Sequence, residues 1–175
     1  MQRYAMLFGT YMGVFWILKF SCFPLGMSHP FLSLLFLAFT VCVPFMGYRY
    51  ARLYRDGVCG GGISLPHAYL FTLSMYIFAA LLASVGHYIY FGYIDGGFIL
   101  DSCRMQLDQM AQSGLPGIEP VIDEYRASLA MAEALTPVDI TLSLLSANIF
   151  IGCLLGLPTA LAVARRRPAS DSTHQ

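Results

Sequence analysis

Four long apolar runs, at about 4–25, 31–48, 67–94 and 138–164, set what this chain can fold into. Each is close to or above the roughly 20 residues that a helix needs to cross about 30 Å of hydrocarbon. Lipid offers the backbone no hydrogen-bond partners, so an apolar run of this length satisfies its amides and carbonyls internally, as a helix. The composition agrees: 57% of the residues are hydrophobic and 11% charged, against roughly 25% charged in soluble chains. The expected fold is all-α, an integral membrane four-helix bundle forming one membrane domain over residues 1–167. Arg3 before the first run suggests a signal peptide, but Lys19 interrupts the run and no small-x-small site follows, so it reads as an uncleaved first span.

The connections give the orientation. Pro24, Gly26, Ser28 and Pro30 end the first span in a tight turn, so the second returns antiparallel. Arg49, Arg52 and Arg55 follow the second span, Arg165, Arg166 and Arg167 close the fourth, and Arg3 opens the chain. Positive charge at span ends is retained on the cytoplasmic side. The expected location is therefore an inner (cytoplasmic) membrane, multi-pass, with both termini cytoplasmic and residues 168–175 a disordered tail. From Arg49 to Pro66 the chain reads as a basic loop broken by Gly57, Gly60, Gly61 and Gly62, with Ser64 and Pro66 starting the third span. A phosphate cradle would need a preceding strand and a Gly-Lys-Ser/Thr ending, and neither is present. The loop is a turn and a topology anchor, and its three arginines are also placed to hold anionic lipid headgroups.

Residues 95–137 differ from the rest. Asp95, Asp101, Asp108, Glu119, Asp123, Glu124 and Glu133 face only Arg104 and Arg126. Apolar residues recur at helical spacing in two halves, Leu100, Cys103, Leu107 and Met110, then Ile118, Val121, Ile122, Tyr125 and Leu129, separated by Ser113 to Gly117. The segment is expected to be an extracytoplasmic amphipathic helical hairpin between spans three and four. Its apolar side lies on lipid or on protein.

Few residues could carry chemistry. Lys19, the one charge within a span, lies about 22 Å along the first helix. It is expected to snorkel outward or to pair with Asp95 or Asp139 at the outer span ends. Asn148, with Ser143 and Ser146, forms a polar patch in span four. Gly9 and Gly13 in span one, and Gly152 and Gly156 in span four, are close-packing motifs, expected to serve contacts within the bundle. His67 and His87 are expected at interface level near opposite ends of span three. The five cysteines stand singly and neither they nor the histidines are spaced for a metal. No catalytic group, cofactor or metal site is expected, and without a basic face no nucleic-acid partner.

Tyr54-Arg55-Asp56, followed by Gly61-Gly62-Ile63-Ser64 and Ala68, a tyrosine-rich end of span three and an outer segment bearing Met and Gln, resembles the domain of unknown function family 4199. The resemblance covers most of the chain and implies four spans in a small bacterial membrane protein of the kind found mainly in the Bacteroidetes. It brings no established activity. After the Ser, where that family often has an aromatic residue, this chain has Leu65-Pro66.

The functional expectation is a non-enzymatic accessory or scaffold protein, held in the lipid bilayer and binding a membrane-protein partner or a second copy of itself. The rival is a small oligomeric transporter or channel with Lys19, Asp139 and Asn148 on a polar path.

Overall fold

The computed structural model describes residues 1–112 and 117–165. Arg166, Arg167, the tail from Pro168 and most of the hairpin break lie outside the described residues. The elements are α1 (Gln2–Ser28), α2 (Pro30–Gly57), α3 (Leu65–Ile89) continued by a π-helical turn at Tyr90–Ile94, α4 (Phe98–Gln112), α5 (Glu119–Glu133) and α6 (Pro137–Val163). α1, α2, α3 with its π turn, and α6 are each long and apolar enough to cross a membrane. The protein is an all-α, multi-pass membrane bundle, with α1 beginning and α6 finishing at one end and the α4–α5 hairpin at the other. Among the described residues the only β pairing is an isolated bridge between Ile63 and Arg165.

Two helices run further than the sequence suggests. Pro24 does not end α1, which continues to Ser28. A proline inside a membrane helix forfeits one hydrogen bond, and neighbouring groups and local adjustment make up for it. What stops α1 is Pro30, which disfavours helical backbone at the residue before it; His29 is extended, with φ −135° and ψ 107°. α2 likewise continues through Arg49, Arg52 and Arg55 to Gly57. These arginines stand on a helix end, not in a loop. The turn is left to Gly60 and Gly61, at φ 66° and 83°, a region open to glycine at little cost.

α3 is the centre of the bundle, packed chiefly between α1 and α6, while α2 lies across α1 and α6. Water expulsion gives membrane helices no reason to associate, so close van der Waals contact must hold them together. The glycines supply it. A Cβ at Gly9 would stand 2.7 Å from Phe78 Cβ, and one at Gly13 would stand 2.9 Å from Leu82 Cβ. On the other side of α3, a Cβ at Gly152 would stand 2.8 Å from Tyr76 Cβ and one at Gly156 3.3 Å from Tyr69 Cε2. Both Gly-x-x-x-Gly motifs therefore serve contacts with α3 inside the protomer.

Tyr76 ties the remaining helix in. It is fully buried, stacks on Trp16 of α1 with ring centroids 6.0 Å apart, and its hydroxyl lies against Gly47 of α2, where a Cβ would collide with it. Gly47→Ala should destabilise the bundle by about 1–3 kcal/mol, the usual cost of overpacking a filled core. In a Tyr76→Phe background the same substitution should cost measurably less, because the hydroxyl it strikes is gone. Thermal unfolding in detergent of the two single variants and the double variant checks this coupling.

Candidate functional site

The two ends of the bundle are built differently. At the arginine end, Arg55 lies at the last turn of α2 and is only 3% exposed. Asp56 takes its guanidinium in a fork, Nε donating to Oδ1 at 2.7 Å and Nη2 to Oδ2 at 3.1 Å. The remaining Nη1 donates to the carbonyl of Val163, at 3.1 Å, where α6 ends. That carbonyl is one of the terminal acceptors a helix cannot satisfy itself. Just beyond it, Ile63 and Arg165 exchange two backbone hydrogen bonds, of 2.9 and 3.1 Å. Tyr54 stacks on Phe71 at 3.9 Å between centroids, and its hydroxyl lies 3.1 Å from His67 Nε2. The α2–α3 turn is thus clasped to the end of α6.

This corrects one expectation. Arg55 is turned into the protein, nearly fully buried, with all three of its nitrogens donating to Asp56 or Val163. Arg49, Arg52 and Arg165 are exposed, and Arg52 also approaches Asp56, at 3.5 Å.

Towards the hairpin end a cavity of about 150 Å³ lies among all four spans, walled by Trp16, Lys19, Phe20, Phe36, His87 and Asn148. The Lys19 ammonium stands 6.0 Å from the Trp16 ring centre and 5.4 Å from that of Phe36, within reach of cation–π attraction. Long side chains on a helix lean toward its N-terminus, which turns Lys19 into the bundle instead of outward. The expected pairing partners are engaged elsewhere. Asp95 accepts the backbone N–H groups of Gly97 and Ile99, both at 3.2 Å, at the start of α4. Asp139 accepts from the Thr136 backbone N–H at 3.0 Å, while its own N–H donates to Thr136 Oγ1 at 3.2 Å, forming a capping box. Each carboxylate is satisfied locally, and neither pairs with Lys19.

Two residues of this chamber were not recognisable as polar site residues. Trp16 and His87 are each only 5% exposed, yet Trp16 Nε1 and His87 Nδ1 have no hydrogen-bond partner among the described residues. His87 is buried within the bundle, and its ring packs edge-on against Phe20, 4.3 Å between centroids. Nothing in a tryptophan's position in an apolar run separates a packed indole from one whose N–H faces a cavity. A second cavity, of about 300 Å³, sits above at the α1–α2 turn, under Gln106 of α4, and shares Phe36 with the chamber.

The hairpin stands apart. α5 packs on α4 and on no other element among the described residues. Leu107 and Ile122 are buried between the two helices, and Arg104 reaches across to Glu133, which holds the guanidinium above its ordinary pKa. A cleft of about 200 Å³ runs beside this seam, bordered by Cys103, Met110, Val121 and Tyr125. Among the described residues, no three of His, Cys, Asp and Glu converge to hold a metal ion.

Residues 7–165 match the sequence profile of the family described as Protein of unknown function (DUF4199). The chain belongs to this family. No curated protein and no solved structure matches the chain. Within the stretch that matches DUF4199, the segment from Tyr54 to Ala68 now has a physical reading: it is the clasp that joins the second, third and fourth spans.

Arg55→Met should lower stability by about 1–3 kcal/mol, since it leaves the Val163 carbonyl buried and unpaired. Hydrogen exchange should speed at the Ile63 and Arg165 amides and stay unchanged where Gly9 and Gly13 meet α3. Arg55→Lys should not restore protection, because one ammonium cannot bridge the Asp56 fork and the carbonyl together.

Proposed function

We propose that this protein is a non-enzymatic accessory protein of a bacterial inner membrane, with both termini cytoplasmic and the hairpin recruiting a protein partner on the outer side. The observation that carries this reading is α5. Ile122 is its one buried residue, while Val121, Tyr125 and Met131 on the same helix are exposed at 50%, 58% and 73%. A helix with so little internal support gains stability only by laying its apolar side on something else. Its acids, Glu119, Asp123, Glu124 and Glu133 against Arg126, decide what. Anionic lipid would repel them, and a second copy would bring the same sign of charge. The matching surface is a protein with an apolar protrusion rimmed by Lys or Arg.

The centre of the bundle supports this reading over transport. Below the chamber, Met12, Met75 and Tyr76 fill the space between the helices and are fully buried. The orientation rests on the arginines gathered at the end where α1 begins and α6 finishes.

Two measurements test the proposal. A photo-crosslinking side chain in place of Tyr125, in native membranes, should give a discrete protein adduct that weakens as salt is raised and disappears with Asp123→Lys and Glu124→Lys. Adducts to lipid alone, or an adduct indifferent to charge reversal, would sink the recruiting role. For orientation, an impermeant maleimide on intact spheroplasts should label Ser128→Cys and spare Ser64→Cys, each placed in a cysteine-free background; the opposite pattern reverses the topology.

A further inference from the structure

We propose that the chamber around Lys19 is a binding site for a small monocarboxylate, an acid with one anionic head and a short apolar body. This inference does not depend on the hairpin's partner. The head is specified by the polar residues that line the cavity. Lys19 brings an ammonium and Trp16 an indole N–H, both of which can only donate hydrogen bonds, and Asn148 adds an amide beside them. Trp16 Nε1 and His87 Nδ1 lie on side chains more than nine-tenths buried and have no partner among the described residues. Buried polar groups in folded proteins are nearly always paired, so an orphaned pair in one cavity marks the place of a ligand.

The charge and size follow from the same walls. No carboxylate pairs with Lys19 among the described residues; Asp95 and Asp139 are committed to helix caps. An unpaired ammonium among Trp16, Phe20 and Phe36 calls for one negative charge, and a dianion would exceed what a single lysine can neutralise. A cavity of about 150 Å³ holds a molecule of roughly six heavy atoms, the scale at which an engineered apolar cavity of that size takes up benzene. The aromatic walls suit the apolar body, and the carboxylate oxygens would accept from Lys19 and the Trp16 indole. The proposed way in is toward the hairpin, by the cavity under Gln106 that borders the same Phe36. Such an acid could come from water through that opening or from the bilayer as the head of a free fatty acid, and the experiment separates the two.

The protein carries a single tryptophan, and it lines the site, so Trp16 fluorescence reports both binding and unfolding. In phosphatidylcholine nanodiscs at fixed ionic strength, butyrate and oleate are titrated separately, with chloride as the control anion. A saturable Trp16 response and a rise in Tm with butyrate identify a water-soluble acid; a response to oleate alone identifies an acid from the membrane. Either supports the site, since a ligand that binds only the folded state raises its stability in proportion to occupancy. Lys19→Met should unfold at or above the wild-type temperature without added acid, because an unpaired, half-buried charge is removed. It should also lose the acid-dependent shift, with affinity weaker by about tenfold or more. Lys19→Gln, which removes the charge but keeps a donor on a slightly shorter chain, serves if the Met variant does not fold, and it should weaken binding in the same direction. Asn148→Leu should weaken butyrate or oleate less than Lys19→Met. No response to either acid, or equal responses in wild type and the Lys19 variants, overturns the proposal.

Discussion

The structure depends on how closely backbones approach the central helix. Between apolar helices in lipid, the force that drives soluble cores is absent, and stability comes from the many small dispersion contacts of surfaces that fit. α3 provides the fit on two sides, with Ala79, Ala80 and Ala83 fully buried along it and the paired glycines of α1 and α6 set against it. Tyr76 then spans the bundle from α3 to Gly47 of α2. With the glycine motifs consumed within the protomer, large apolar side chains are left to the bilayer, such as Phe31, Leu34 and Phe45 of α2 and Phe150, Leu154 and Leu161 of α6. These suit acyl chains.

From that centre the two ends diverge. At the arginine end, Arg55 closes an open helix terminus, Ile63 and Arg165 join the turn to α6, and Tyr54 fills the space beneath. The arrangement is over-determined, since the same short segment supplies an ion pair, a backbone bridge and an aromatic stack. At the hairpin end the helices part, α3 passes into a π turn, and cavities replace packed side chains. π turns within helices commonly mark functional positions. Regions with few buried contacts open most easily, which places the capacity to admit a ligand or a partner away from the clasp.

Lys19 shows how the two descriptions of a charged residue in a span can separate. From depth alone, a lysine near the end of a span should reach for water or for an acid at the same level. Here the nearest acids cap helices, and the lysine folds back over aromatic rings beside two buried nitrogens without partners. Whether an ammonium is a surface anchor or part of a site depends on which way a flexible side chain turns, and spacing along one helix does not report that.

The sequence by itself determined the class of the fold: four apolar runs, a break of prolines and glycines between each, and an acidic amphipathic pair of helices placed between the third and fourth. Those features are local, and lipid forces them into helices whatever the neighbours do. The Tyr54 to Ala68 segment also carried the family likeness, though not its reason. The tertiary structure alone decided that α1 passes through Pro24, that Arg55 is buried against Val163, that Asp95 and Asp139 are caps, and that Trp16 and His87 meet Lys19 in one chamber. The Arg55–Val163 contact and the chamber depend on side chains from different helices, separated by tens of residues in the chain, arriving at the same few ångströms. Periodicity fixes which face a residue occupies, but only packing fixes what stands opposite it.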